Sequence, residues 1–195
     1  MDVEIKRGGA SYLETGLAPK PLRAQQFKQR LDDGAQVIDV RSAEDYVRCS
    51  VPRSLNIGLE GQFASWAGTL LDPACPLLIV AADESAAHEA CLRLARVGLE
   101  RVEGWLAGGL PDWVQAGLPV ESLEQVTVRE LQDRLTGAGP STEAFQVVDV
   151  RRAGEYRGGH VPGAVHAPLD RIADEAGRLD PERPTAVVCA GGYRS

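Results

Sequence analysis

Residues 36–46 read Gln36-Val37-Ile38-Asp39-Val40-Arg41-Ser42-Ala43-Glu44-Asp45-Tyr46, and residues 146–156 read Gln146-Val147-Val148-Asp149-Val150-Arg151-Arg152-Ala153-Gly154-Glu155-Tyr156. The second stretch repeats the first without a gap at a spacing of 110 positions. In both, a short apolar run ends on Asp-Val-Arg and gives way to a polar stretch. That is the pattern of a buried strand passing into a turn and helix. The correspondence continues outward: Ser50-Val51-Pro52-Arg53-Ser54-Leu55-Asn56 matches His160-Val161-Pro162-Gly163-Ala164-Val165-His166. A second apolar strand follows in each copy, Pro76 to Ala81 and Pro184 to Cys189. The chain is therefore an internal duplication.

Within the first copy, Leu22 to Leu31 reads as a helix and Gln36 to Val40 as a buried strand. Leu77 to Val80 is a further strand, Ala86 to Val97 a helix with apolar spacing, and Val102 to Leu106 a strand again. Alternating helices and continuous apolar strands predict an α/β fold in each copy, an open parallel sheet with helices on both faces. The stretch Gly61 to Gly68 reads as an aromatic-bearing loop or short helix that the second copy lacks. Gly117-Leu118-Pro119-Val120 and the polar residues after it read as a linker. Thr127, three residues before Glu130, is expected to cap the helix that opens the second copy. The organisation expected is thus a connector over 1–20, a first module over 21–120 and a second over 121–195. The second copy ends six residues after Cys189, where the first continues for some forty beyond Ala81. On this reading the second module is C-terminally incomplete in this chain. It is expected to belong to a longer polypeptide, or to have the remainder disordered, cleaved or supplied by another chain.

Composition narrows the chemistry. The 195 residues are 44% hydrophobic and 25% charged, with a formal net charge of −7. Such an acidic balance argues against a nucleic-acid-binding surface, which needs clustered Lys and Arg to displace counterions. It leaves room for a small anionic substrate in one local positive pocket. No apolar run approaches the roughly 18–20 residues of a membrane span, and the start reads as no signal peptide. The cysteines Cys49, Cys75, Cys91 and Cys189 form no CxxC pair, so neither a disulfide scaffold nor a cysteine-rich zinc site is expected. A reducing cytoplasm is the expected compartment. His88, His160 and His166 enter no metal-ligand spacing, and neither a metal nor a cofactor is expected.

The chemistry concentrates in Cys189-Ala190-Gly191-Gly192-Tyr193-Arg194-Ser195. A cysteine directly after a parallel strand lies on the edge where open α/β sheets bind ligands. The glycine pair lets successive N–H groups turn inward as an anion-binding nest. Arg194 adds a fixed charge and a planar fork of donors. Both would favour thiolate over thiol, and the thiolate is the nucleophile. Tyr193 would line the mouth of the pocket. Read alone, Cys189 could equally be a structural cysteine beside an ordinary turn. The combination of thiol, glycine pair and arginine favours the chemical reading.

Asp149-Val150-Arg151, Glu155-Tyr156, Gly159-His160-Val161-Pro162-Gly163-Ala164 and the Cys-x-x-x-x-Arg-Ser of 189–195 together resemble the signature segments of the rhodanese family. The likeness runs in two copies from about residue 20. The resemblance implies that Cys189 is the catalytic nucleophile of a sulfurtransferase. It would take a sulfane sulfur from a small anionic donor, thiosulfate or glutathione persulfide, and pass it to a thiol or cyanide acceptor. Ala190, Gly191, Gly192, Tyr193, Arg194 and Ser195 would form the substrate-binding loop. Related phosphatases and arsenate reductases have one residue more between Cys and Arg, a cradle wide enough for a tetrahedral oxyanion. The shorter spacing here favours sulfur. A non-catalytic interaction module remains the alternative from another class. Leu55 to Leu71 also resembles the tandem rhodanese region that follows a metallo-β-lactamase-fold persulfide dioxygenase in bacterial fusion proteins. That likeness implies such a domain as a covalent or associated partner.

In the first copy Ala81 stands where Cys189 stands in the second. Ala81-Ala82-Asp83-Glu84-Ser85-Ala86 has no thiol, glycine pair or arginine, and its acids would repel an anion. This copy is expected to be catalytically inactive. Asp39–Arg41 and Asp149–Arg151, present in both copies, are expected to be structural ion pairs. His160, replaced by Ser50 in the first copy, is expected to be a hydrogen-bonded loop residue.

Overall fold

The structure is a computed structural model, and it describes residues 18–137 and 145–191. The chain divides into two compact units, one through Glu124 and one from Gln125.

In the first unit five parallel strands lie in the order β1-β5-β4-β2-β3. They are β1 (Pro21–Leu22), β2 (Gln36–Asp39), β3 (Ser54–Asn56), β4 (Leu77–Val80) and β5 (Val102–Leu106). All four residues of β4, Leu-Leu-Ile-Val, are buried because helices cover both sheet faces. On one face α1 (Ala24–Asp32) and α5 (Gly109–Gln115) enclose Phe27, Leu31, Val37, Leu78, Leu106 and Trp113. On the other, α3 (Phe63–Leu70) and α4 (Glu84–Ala95) enclose Ile38, Ile79, Phe63, Cys91 and Trp105. The short α2 (Ala43–Arg48) buries no residue and carries the chain from β2 towards β3.

Local boundaries follow from capping and pairing. The expected helix from Leu22 starts instead at Ala24, because Leu22 is drawn into β1 and pairs with Leu106. Its buried residues Ala24, Phe27 and Leu31 keep the helical spacing. The helix expected from Ala86 starts two residues earlier, with the Asp83 side chain accepting from the Ala86 N–H. The Gly61–Gly68 stretch contributes to α3. Residues 117–123 are not loose: the Trp113 indole donates to the Pro119 carbonyl at 2.7 Å, and Ser50 and Glu121 bond each other through both backbones. The Leu123 N–H also donates to Val47 at 2.8 Å.

Pairing of β1 with β5 depends on Gly104. A Cβ there would lie 2.6 Å from the Lys20 carbonyl oxygen and 2.7 Å from the Leu22 side chain. Because the first obstacle is backbone, rotamer changes cannot relieve it. Gly104→Ala is expected to destabilise the chain by about 1–3 kcal/mol, as overpacking does, with the loss read from the denaturation midpoint.

The second unit has three parallel strands in the order β7-β6-β8: β6 (Gln146–Asp149), β7 (Val165–His166) and β8 (Thr185–Val188). Thr127 caps α6 (Val128–Leu135) in a full capping box with Glu130. Leu131 of α6 packs with Val147 and Ala164 on one sheet face. A run of short helical turns, Leu169–Arg171, α8 (Ile172–Glu175) and Ala176–Arg178, supplies Leu169 and Ile172 to the other. The short α7 (Ala153–Arg157) repeats α2. Both units have the α/β organisation of parallel strands with helices that the repeat predicts.

Candidate functional site

The register of the second sheet fixes where Cys189 lies. Asp149 of β6 stands between His166 of β7 and Val188 of β8. The residues that follow, Ala167, Val150 and Cys189, therefore form a row along the C-terminal edge. Backbone bonds continue into that row: Ala167 donates to Asp149 at 3.0 Å and Val150 to Val188 at 3.1 Å. Cys189 is half-buried and packs against the cluster of Val148, Val150 and Ala167. Ala190 and Gly191 follow it at the surface. Gly192, Tyr193, Arg194 and Ser195, expected to complete the loop, lie outside the described residues.

The first sheet has the same row made of Ile57, Val40 and Ala81, with equivalent bonds to Asp39 and Val80. Ala81 is 1% exposed. Its loop leads into α4, where the Asp83 carboxylate occupies the first free N–H groups of the helix. That end is thus satisfied internally by an anion of the chain's own. The other cysteines are differently placed. Cys91 is buried in α4, and that burial pushes its thiol up. The Cys75 thiol is also raised, first by its hydrogen bond to Asp72 and then by desolvation. Cys49 offers its carbonyl to Arg41 at 2.8 Å.

The two Asp–Arg pairs are superposable in their bonding. Arg41 Nε and Nη2 donate to Asp39, and Arg151 Nε and Nη2 donate to Asp149, with closest contacts of 2.6 Å in each. Each arginine also donates to the loop after its helix, at the carbonyl of Cys49 or Gly159. Both aspartates are fully buried. They tie strand end to loop. At Asp39 burial outweighs Arg41 and holds the carboxyl above its ordinary range. At Asp149 burial also raises the carboxyl, but the Arg151 hydrogen bonds and charge, with a smaller contribution from His166, carry it below. His160 donates from Nδ1 to the Tyr156 carbonyl at 3.0 Å and stacks on the Tyr156 ring, which stacks on His166 from its other side. The ring system braces the loop.

The segment Leu169–Arg178 forms a wall that the motifs do not announce. Leu169 donates to the Val150 carbonyl at 3.2 Å, so the chain crosses the edge directly beside the row containing Cys189. Its signal in the sequence is Leu169 itself, which repeats Leu59 at the 110-residue spacing. Among the described residues no cluster of three or more His, Cys, Asp or Glu is placed to hold a metal ion. Likewise none of their helices is long and apolar enough to cross a membrane.

The rhodanese-like domain model matches residues 23–116 and 127–195. Thiosulfate sulfurtransferase of Gallus gallus is 26% identical over 208 residues, covering 86% of this chain and 70% of that protein. Thiosulfate sulfurtransferase GlpE of Shewanella oneidensis is 34% identical over 53 residues, covering 27% of this chain and 52% of that protein. Among solved structures, the rhodanese-like domain of an Anabaena sp. protein is 22% identical, with a TM-score of 0.47 over 55% of this chain and 89% of that one. With both copies matched and their parallel sheets alike in register, the chain belongs to the rhodanese-like domain family.

Proposed function

We propose that this chain is a sulfurtransferase that works through a persulfide on Cys189. The observation that carries the reading is the placement of a half-buried thiol in the edge row Ala167–Val150–Cys189, where parallel α/β sheets receive ligands. The donor is a small anionic sulfane-sulfur compound, thiosulfate or glutathione persulfide. The Cys189 thiolate attacks the outer sulfur of thiosulfate, a cysteine–sulfur bond forms, and sulfite leaves with the electron pair of the broken S–S bond. A thiolate or cyanide then attacks the outer sulfur of the persulfide and releases the Cys189 thiolate. Ala190 to Ser195 make the binding loop in this proposal. The chemistry takes place in the cytoplasm, and a persulfide dioxygenase domain, linked or associated, is the partner that shares the persulfide.

The first module performs no sulfur transfer on this reading, because Ala81 carries no thiol and Asp83 fills the helix terminus behind it. It serves as an interaction or packing module. The test is intact mass after incubation with thiosulfate or glutathione persulfide, followed by a dithiothreitol chase and peptide mapping. A gain of one sulfur atom on the Cys189 peptide, removed by the thiol, is expected. No adduct from either donor, or one confined to Cys49, Cys75 or Cys91, overturns the proposal.

A further inference from the structure

We infer that Arg171 and Arg178, clasped together by Glu175, form an anion-recruiting rim for the Cys189 site and favour a dianionic donor such as thiosulfate over an uncharged one. The inference rests on the sulfurtransferase reading of Cys189 and names residues outside its loop. Arg171 and Arg178 both pair with Glu175, at 3.4 and 2.6 Å, and their own side chains remain 63% and 60% exposed. Glu175 is only 17% exposed in its side chain, and the Arg178 hydrogen bond leads the effects that hold its carboxyl low. One buried anion thus fixes two exposed cations, and the cluster carries one net positive charge.

Its position follows from the backbone. Arg178 Nη1 also reaches the His166 carbonyl at 3.4 Å, placing its head at the end of β7. Leu169 and Ile172, on either side of Arg171, pack into the same cluster as Cys189. Cys189 lies two strands from the end of β7, about 10 Å at ordinary strand spacing. That separation is close to the screening length at physiological salt, about 8 Å. Charges at this range steer an approaching ion rather than bind it.

The duplication supplies an internal control. Leu59 repeats Leu169 and packs against the equivalent core face, yet Gly61 stands in place of Arg171. From Ile57 to Leu71 the first copy has no Lys or Arg. Arg93, which reaches this region from α4, is engaged by the Leu59 carbonyl and lies over the Phe63 ring. The arginine rim accompanies the copy that has the thiol. Exposed Asp170 and Asp174 on the same segment temper the field, so the effect expected is several-fold.

The experiment measures the second-order rate of persulfide formation on the full chain with thiosulfate and with an uncharged organic trisulfide, at low and high salt. In the double variant Arg171→Gln/Arg178→Gln the rim passes from one positive to one negative charge. Its thiosulfate rate is expected to fall about fivefold at low salt and to converge with wild type at high salt. The trisulfide rate and the thermal midpoint should hold, and Arg171→Lys/Arg178→Lys should restore most of the loss. An equal loss with both donors, or no loss with thiosulfate, overturns the rim. A wild-type chain that accepts sulfur from neither donor overturns the sulfurtransferase reading itself and the rim with it.

Discussion

Cys189→Ser is expected to lower sulfur transfer from thiosulfate to cyanide by about three orders of magnitude or more, the scale on which loss of a covalent nucleophile is felt. Serine keeps the size and the hydrogen-bonding capacity of the position, so the row with Val150 and Ala167 should persist and the denaturation midpoint should move little. The hydroxyl is a far weaker nucleophile than a thiolate and cannot hold the transferred sulfur. Serine replacements at Cys49 and Cys75 are expected to leave the rate unchanged, since neither stands at an equivalent strand end. The complementary change, Ala81→Cys, tests whether a thiol at the matched register is sufficient. It is expected to add no activity, because Asp83 caps the helix behind it and would oppose an incoming anion. A Cys189→Ser chain that retains its rate would place the chemistry elsewhere.

That contrast between the modules was legible in the sequence because the repeat is ungapped where the two strands and their turns occur. Asp39 and Asp149, Val40 and Val150, Ala81 and Cys189 occupy matching registers. The strands β2, β4 and β5 could be read from apolar runs because helices cover both their faces. What escaped the reading depends on partners distant in the chain. Leu22 has the spacing of a helical residue with Leu31, and only pairing with Leu106 next to the bare Gly104 makes it a strand. Residues 117–123 have the composition of a linker, yet Ser50, Val47 and Trp113 bind them to the first unit. The rim of Arg171 and Arg178 is equally hidden, because two exposed arginines on a polar segment look like ordinary surface until the sheet edge is placed beneath them.

The second large effect concerns the buried Asp–Arg pairs. Arg151→Ala is expected to destabilise the second unit by about 3–5 kcal/mol, because it leaves Asp149 as an uncompensated charge in the sheet. It also removes the donor that holds the Gly159 carbonyl, and so loosens the loop braced by Tyr156 and His160. Arg41→Ala should act similarly in the first unit through Asp39 and Cys49. The two pairs differ in their response to acid. The Asp149 carboxyl is lower in the folded state than in the unfolded chain, so its stabilisation is present above the ordinary carboxylate range. It is lost as pH falls through the folded value. Asp39 is raised, so protonation in the acid range costs the first unit nothing through this group. Acid titration followed by amide exchange should therefore show the β6 amides losing protection before those of β2. Asp149→Asn should flatten the acid dependence of the second unit while lowering its stability at neutral pH. Earlier loss at β2 would mean that Arg41 governs Asp39 more strongly than burial does.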